Sequence, residues 1–391
     1  MSINSSSSDH FNAEAKQNMS DQCSSKDLTS KVSSYESELP FEIKKALLAL
    51  STRVEHIFIT GAGGFLASTI CRFLRSVNIK VTGFSRGNYP ELSQLGINMV
   101  QGDITDINAL THAMKGCDLV FHVAAKAGVW GAKEDFFKAN FEGTKNIITA
   151  CKMLGIANMV YTSTPSVTFA GEDENGVDES QPYASKYLTY YAQSKASAEQ
   201  LVLATSAVAG EKNNPKTVAL RPHLIWGPND PHLVPRVLER AKLGRLKLLG
   251  KTDKLVDTIY IDNAAYAHIL AAVELTELKP RCLGKAYYIS NDEPITMAAM
   301  LNKILACQNL APISKRVPST LAYIVGSILE CTYLLLAKKE EPIMTRFVAK
   351  QLSTSHYFNI NAAKNDFNYQ AIVTIEQGME RLRHSLLNTI E

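Results

Sequence analysis

The sequence predicts an α/β fold: a doubly wound parallel sheet that gives way to a smaller C-terminal lobe. Three observations carry that expectation. From residue 54 onward, short apolar runs of strand composition alternate with stretches of helical apolar spacing. The first strand-to-helix junction is built from glycines, "IFITGAGGFLAS" (57–68). The chain has 391 residues and is 46% hydrophobic, enough for one large domain with a lobe.

Residues 1–40 are of different material: Ser-rich, charged and nearly free of apolar periodicity. Such a segment cannot bury enough surface to offset its ordering entropy, so it is expected to be disordered. It lacks the apolar core of a secretory signal, and its acidic residues argue against a transit peptide. Met19 is an alternative start. "FEIKKALLAL" (41–50) reads as a short amphipathic helix leading into the fold. A net charge of +3 is too mild for a nucleic-acid footprint, and no Lys/Arg run stands out. The cysteines at 23, 71, 117, 151, 282, 307 and 331 are scattered, with no C-x-x-C and no histidine at ligand spacing. They read as reduced thiols of a cytoplasmic protein, and no metal is expected.

Taken in order, 54–60 has strand composition and 65–77 carries apolar residues at helical spacing, so the glycines sit between strand and helix. Gly61 permits the tight turn, and Gly64 lets backbone approach a pyrophosphate at the helix N-terminus, with Phe65 and Leu66 opening the helix. Ala67 is small enough to pack helix against strand. The second strand, "IKVTGFSRG" (79–87), ends at Arg86, 25 residues beyond Gly61. An acid there binds a ribose 2′-hydroxyl, whereas an arginine suits a 2′-phosphate, so NADP(H) is expected ahead of NAD(H). After the third strand, "NMVQGDITD" places Asp103 and Ile104 where a carboxylate can meet an adenine amino group. The fourth, "DLVFHVAAKAG", opens into Ala124, Ala125 and Lys126, small residues that let a cofactor lie close. These features define a Rossmann domain.

The fifth strand runs into hydroxyl residues, "YTSTPSVTF" (161–169), and "YYAQSKASAEQLV" follows with Tyr191 and Lys195 at i and i+4. That spacing stacks both side chains on one helix face. An ammonium beside a phenol favours the phenolate and is expected to lower the tyrosine pKa from about 10. Such a tyrosine can pass a proton to a carbonyl oxygen while hydride moves, and a Ser or Thr hydroxyl holds that oxygen.

With these residues, the chain from about Arg53 to its C-terminus resembles the extended short-chain dehydrogenase/reductases, within the 3β-hydroxysteroid dehydrogenase branch. Thr60, Gly61, Gly64 and Ala67 match the family's glycine turn. Thr164, Tyr191 and Lys195 match its Ser/Thr–Tyr–Lys triad, with Ser163 and Ser166 open as alternatives to Thr164. "LRPHLIWGP" (220–228) matches the segment whose backbone meets the nicotinamide carboxamide, which implies cofactor contact at Pro222 and Leu224. "DTIYIDNAAYAH" (257–268) matches the strand that returns to the sheet. "FSRGNYPEL", "AAKAGVWG", "YTSTPSV" and "GKAYYISNDEP" look like the bacterial 2-alkyl-3-oxoalkanoate reductases of head-to-head olefin biosynthesis. Those enzymes use NADPH, and His223 departs from the arginine expected in them.

The resemblance implies interconversion of a secondary alcohol and a ketone on a large apolar substrate. A 2-alkyl-3-oxoacid comes first and a 3β-hydroxysteroid second. A non-catalytic NADP(H)-binding redox sensor is the alternative of another class; such proteins commonly lose the tyrosine–lysine pair. A sugar-nucleotide epimerase is disfavoured by the apolar C-terminal region. The expected division is 1–50 for the extension and lead-in helix and 51–265 for the Rossmann domain, with part of the lobe inserted after about 222. Residues 266–391 are then mainly the substrate lobe. A homodimer is left open, since oligomeric state is not readable.

One stretch stands apart. The apolar run 321–337 spans 17 residues, the lower edge of the ~17–25 needed to cross a bilayer, and holds Glu330 inside it. A helix over 320–337 is read as a buried element whose Glu330 meets a partner, as one that caps an apolar substrate site, lies in a membrane interface, or both, or as a span.

Overall fold

A computed structural model describes residues 39–207 and 214–388. The Ser-rich head expected to be disordered lies, up to residue 38, outside the described residues.

Near-continuous apolar runs need cover on both faces, which favours a parallel sheet sandwiched by helices. Seven such strands form it: β1 (His56–Thr60), β2 (Lys80–Ser85), β3 (Asn98–Gln101), β4 (Leu119–His122), β5 (Asn158–Thr162), β6 (Lys216–Pro222) and β7 (Ala286–Ile289). Their order is β7-β6-β5-β4-β1-β2-β3, parallel throughout. Strand order reverses between β1 and β4, where Thr60 pairs with His122, so a crevice opens beyond their C-terminal ends.

One face carries α1 (Phe41–Ser51), α2 (Phe65–Arg75) and α5 (Ile261–Leu275), whose Ile43, Leu47, Ile70, Phe73 and Ile269 share a single apolar cluster. The other carries α3 (Gly143–Leu154) and α4 (Tyr190–Ala207), joined through Ile147, Cys151, Ala198 and Val202. A π-helical turn, Phe137–Glu142, runs straight into α3. The strand expected to return to the sheet within 257–268 does not do so. Ile259–Tyr260 pairs with Ile225–Trp226 outside the sheet, and the chain turns at once into α5. The seventh strand instead comes from beyond 265, as β7. That expectation rests on the family resemblance alone; the segment's own residues build a helix, α5, that is buried nearly all round.

The lobe is assembled from distant segments. Glu174–Val177, Leu255–Val256, Ile295–Thr296 and His356–Phe358 form a four-stranded sheet, so one strand precedes α4 in the chain. Beside it lie α6 (Ser319–Leu335) and α7 (Arg346–Gln351). Among the described residues, no helix is long and apolar enough to cross a membrane.

Candidate active site

The triad positions Thr164, Tyr191 and Lys195 and the expected cofactor contacts from Gly61 to Leu224 line one cavity of about 920 Å³ at the crevice; Thr60 lies behind its wall. Its nucleotide end rests on the glycine turn. Gly61 has φ +68°, and a Cβ there would come within 3.0 Å of the Ala124 Cα, so glycine is demanded by conformation and by space. Gly64 caps α2 in an extended conformation with no side-chain cap, leaving the helix N-terminal amides free for an anion. Phe65 and Leu66 follow in the first turn of α2, and Ala124, Ala125 and Lys126 form the facing wall. These features fit a dinucleotide: a cradle that a Cβ would fill, and an uncapped helix end.

Arg86 lies at the end of β2, exposed, with its carbonyl accepting from Gln101 Nε2 at 2.8 Å. Asp103 is held below the usual carboxylate range by the amide of Thr105, then by that hydroxyl and by Arg86 and Lys138. Its Oδ1 accepts from the Thr105 amide at 2.9 Å and hydroxyl at 2.8 Å. Ile104 lines the cavity beside it.

The triad positions come together from β5 and α4. A buried pair fixes α4 to β6: Arg221 Nη2 and Nε donate to the Glu199 carboxylate at 2.6 and 3.0 Å. Of the three hydroxyls left open, Thr164 is the one that draws the Tyr191 phenol down against burial, and its Oγ1 donates to Ser166 Oγ at 3.2 Å. Ser163 Oγ is buried without a partner.

The electrostatics differ from expectation. Burial raises the Tyr191 phenol above its ordinary value, with Thr164 opposing, so the expected lowering by Lys195 is not found. Lys195 Nζ instead donates to the Thr162 carbonyl at 2.6 Å and lies 4.1 Å from the centre of the Tyr161 ring. Burial pushes the ammonium itself down to about 7, against the pull of Glu199. In this geometry the lysine charge is directed at a carbonyl and a ring face.

A buried polar chain, unseen in the sequence, ties the two ends together. Thr60 Oγ1 accepts from the amides of Val123 (3.1 Å) and Ala124 (3.0 Å) and lies 2.8 Å from His122 Nδ1. With two donors already served, the Thr60 hydroxyl must donate to Nδ1, so the His122 proton sits on Nε2 and points at Thr144 Oγ1, 2.9 Å away. Thr144 then donates to the Asn140 carbonyl at 2.6 Å. Burial holds His122 neutral, at about 3. The Asn140 side chain clamps Lys126, accepting from its amide at 2.7 Å and donating to its carbonyl at 3.1 Å. The same Nδ2 reaches Ser194 Oγ at 2.9 Å, one residue before Lys195. Asn140 sits in the π-helical turn, and an extra residue in a helix leaves no period to read.

The far end of the cavity is walled by Pro222, His223, Leu224, Phe347 and Gln351. Leu224 holds φ +46°, a strained position for a branched side chain at a site wall. His223 Nδ1 donates to the Asp257 carbonyl at 2.7 Å, which leaves Nε2 as an acceptor. Burial and the neighbouring His356, 4.8 Å between ring centres, push it down to about 3. Phe347 and Gln351 come from α7, which sequence patterning did not connect with the site.

The signature described as the 3-beta hydroxysteroid dehydrogenase/isomerase family matches residues 58–316. The chain is 64% identical over 345 residues to the 2-alkyl-3-oxoalkanoate reductase of Shewanella oneidensis, covering 87% of this chain and 89% of that one. It is 36% identical over 329 residues to the human sterol-4-alpha-carboxylate 3-dehydrogenase, decarboxylating, covering 83% and 86%. Among solved structures, MoeE5 in complex with UDP-glucose and NAD superposes with a TM-score of 0.67 at 19% identity, covering 86% of this chain and 100% of that one. That likeness shows the fold alone. The chain belongs to the 3-beta hydroxysteroid dehydrogenase/isomerase family and is an oxidoreductase acting on hydroxyl and keto groups.

Proposed function

We propose that the protein reduces a 2-alkyl-3-oxoalkanoate to the 3-hydroxy acid with NADPH. The observation that carries this reading is the meeting of Thr164, Tyr191 and Lys195 in one cavity with the glycine turn, in a chain 64% identical to a reductase of that name. When bound, the nicotinamide supplies the hydride. Tyr191 donates its phenolic proton to the ketone oxygen, and a phenol kept protonated by burial is the form that work requires. Thr164 holds the same oxygen. Lys195, one turn along α4 from Tyr191 and anchored on the Thr162 carbonyl, would hold the ribose beside the phenol. Arg86 opposes a 2′-phosphate, which supports NADP(H) over NAD(H).

A second reading is oxidation of a sterol carboxylate, favoured by the 36% identity to the human enzyme. Both names describe a carboxylate one carbon removed from the reacting centre, so the two readings share a site chemistry. Following NADPH oxidation with long-chain 2-alkyl-3-oxoacids, 3-oxosteroids and nucleotide sugars separates them. Turnover restricted to the oxoacids is expected. Turnover only with steroids, or only with NADH, overturns the substrate or the cofactor part of the proposal.

A further inference from the structure

Helix α6 is built inside out. A surface helix normally turns its apolar stripe inward. This one buries Ala322, Gly326 and Glu330, a stripe of small residues ending in a carboxylate. A Cβ on Gly326 would fall 2.7 Å from the backbone carbonyl carbon of Thr345, so α6 lies directly on the chain entering α7. Glu330 accepts from the Arg346 amide and Nε, both at 2.6 Å. The opposite arc carries Leu321, Ile324, Val325, Ile328 and Leu335, exposed by 51, 55, 40, 59 and 87%. Leu334 in the last turn and Leu336 just past the helix end are exposed as well, as is Ile343 in the loop that follows.

We propose that this ridge docks on an anionic lipid surface. Charge supports that occupant. Between 317 and 337 the only charged residue is Glu330, and it is turned inward and paired. Lys315 and Arg316 stand before the helix and Lys338 and Lys339 after it. Of the nearby acids, Asp253 is paired with Arg316, Glu341 with Arg236, and Asp135, which also faces Lys339, with Lys126, while Glu340 follows Lys339 in the chain. An apolar ridge bordered by cations is the pattern of helices that lie in a membrane interface. Size argues against a second copy of the chain: a stable dimer needs roughly 20–30 residues a side, and this ridge offers far fewer.

Position gives the docking a consequence. On the protein side of α6, Phe347 and Gln351 of α7 wall the cavity. At its C-terminal end, Trp130 packs edge-on against Tyr333, 6.1 Å between centres, and donates to the Lys338 carbonyl at 3.2 Å. Trp130 closes the loop that begins at Lys126. The lipid-facing helix therefore lies on α7, which walls the site, and on Trp130, which follows the wall residue Val129 in the chain, so docking would set that end of the cavity beside the membrane.

The test is co-sedimentation of the purified full chain with phosphatidylcholine vesicles, with and without phosphatidylglycerol. The wild type is expected to pellet with the mixed vesicles and much less with the neutral ones. Ile328→Ser combined with Leu335→Ser should lower binding to mixed vesicles about tenfold or more, with melting temperature and NADPH affinity unchanged. Lys338→Glu with Lys339→Glu provides a second variant that leaves the apolar ridge intact and should also weaken that binding. Wild-type protein that stays in the supernatant with both vesicles overturns the proposal. So does light scattering that shows a dimer which the serine variant converts to monomer, because the ridge then belongs to a second copy.

Discussion

At the scale of single residues, the site depends on burial more than on pairing. Tyr191 is kept a phenol by desolvation, and in the proposed reaction its hydroxyl acts in the transition state rather than in cofactor binding. Tyr191→Phe should therefore lower kcat by about 10²–10⁴-fold while NADPH affinity, measured by fluorescence titration, barely moves. Retention of activity within a few-fold would assign the proton to another group. Arg86→Asp exchanges a cation for an acceptor, and should shift the NADPH-to-NADH ratio of kcat/KM about tenfold to a hundredfold toward NADH. An unchanged ratio removes Arg86 from phosphate recognition. Lys195 makes a pH-dependent prediction whose sign follows from linkage. It titrates at about 7 in the fold and at 10.5 ordinarily, so between those values the unfolded chain binds the extra proton. Its burial then costs stability at neutral pH, and the cost fades as pH rises toward 10.5. The difference in melting temperature, Lys195→Met minus wild type, should accordingly shrink between pH 7 and pH 10. A constant difference would show that the ammonium is not depressed.

At the scale of elements, the legible features were local and the hidden ones were not. The glycine turn could be read because its chemistry lies within a few consecutive residues, and so could the i, i+4 placement of Tyr191 and Lys195. The π-helical turn could not, since one added residue erases the helical period that would announce it, and with it went Asn140. The strand expected within 257–268 comes with the family resemblance; those residues form a two-residue strand outside the sheet and the start of α5. The direction faced by α6 was hidden for a different reason: its buried stripe is its least apolar one. Two substitutions test these elements. Asn140→Ala leaves the Lys126 amide without its acceptor, and should cost about 1–3 kcal/mol of stability while lowering both kcat and NADPH affinity. Loss of stability with unchanged kinetics would reduce the π-helical turn to a structural strut. Gly326→Leu forces α6 off the Thr345 backbone, an overpacking worth about 1–3 kcal/mol. Because α7 moves with it, KM for an apolar substrate should rise while NADPH affinity holds. An unaltered KM would separate Phe347 and Gln351 from substrate binding.

At the scale of the whole molecule, the cavity depends on pieces that lie far apart in sequence. The sheet spans 56 to 289, the lobe takes strands from 174 to 358, and one polar chain links Thr60 to Ser194 through His122, Thr144 and Asn140. No local window of sequence contains such closures, which is why the site's parts were legible and its internal wiring was not. The same dispersion makes the edge of the fold matter. Helix α1 precedes the first strand and contributes nothing to the cavity, yet Ile43, Leu47 and Leu50 are fully buried in the cluster shared with α2 and α5. Truncating a buried Ile or Leu to Ala costs about 2–5 kcal/mol, because transfer energy and an unfilled cavity add. Total stability for a domain is only about 5–15 kcal/mol. Ile43→Ala with Leu47→Ala should therefore lower the urea midpoint sharply and reduce the yield of folded protein. The NADPH affinity of the fraction that folds should stay at the wild-type value, since no α1 side chain lines the cavity. A midpoint equal to wild type would mean that α1 is a detachable appendage, and that α5 and α2 close the core without it.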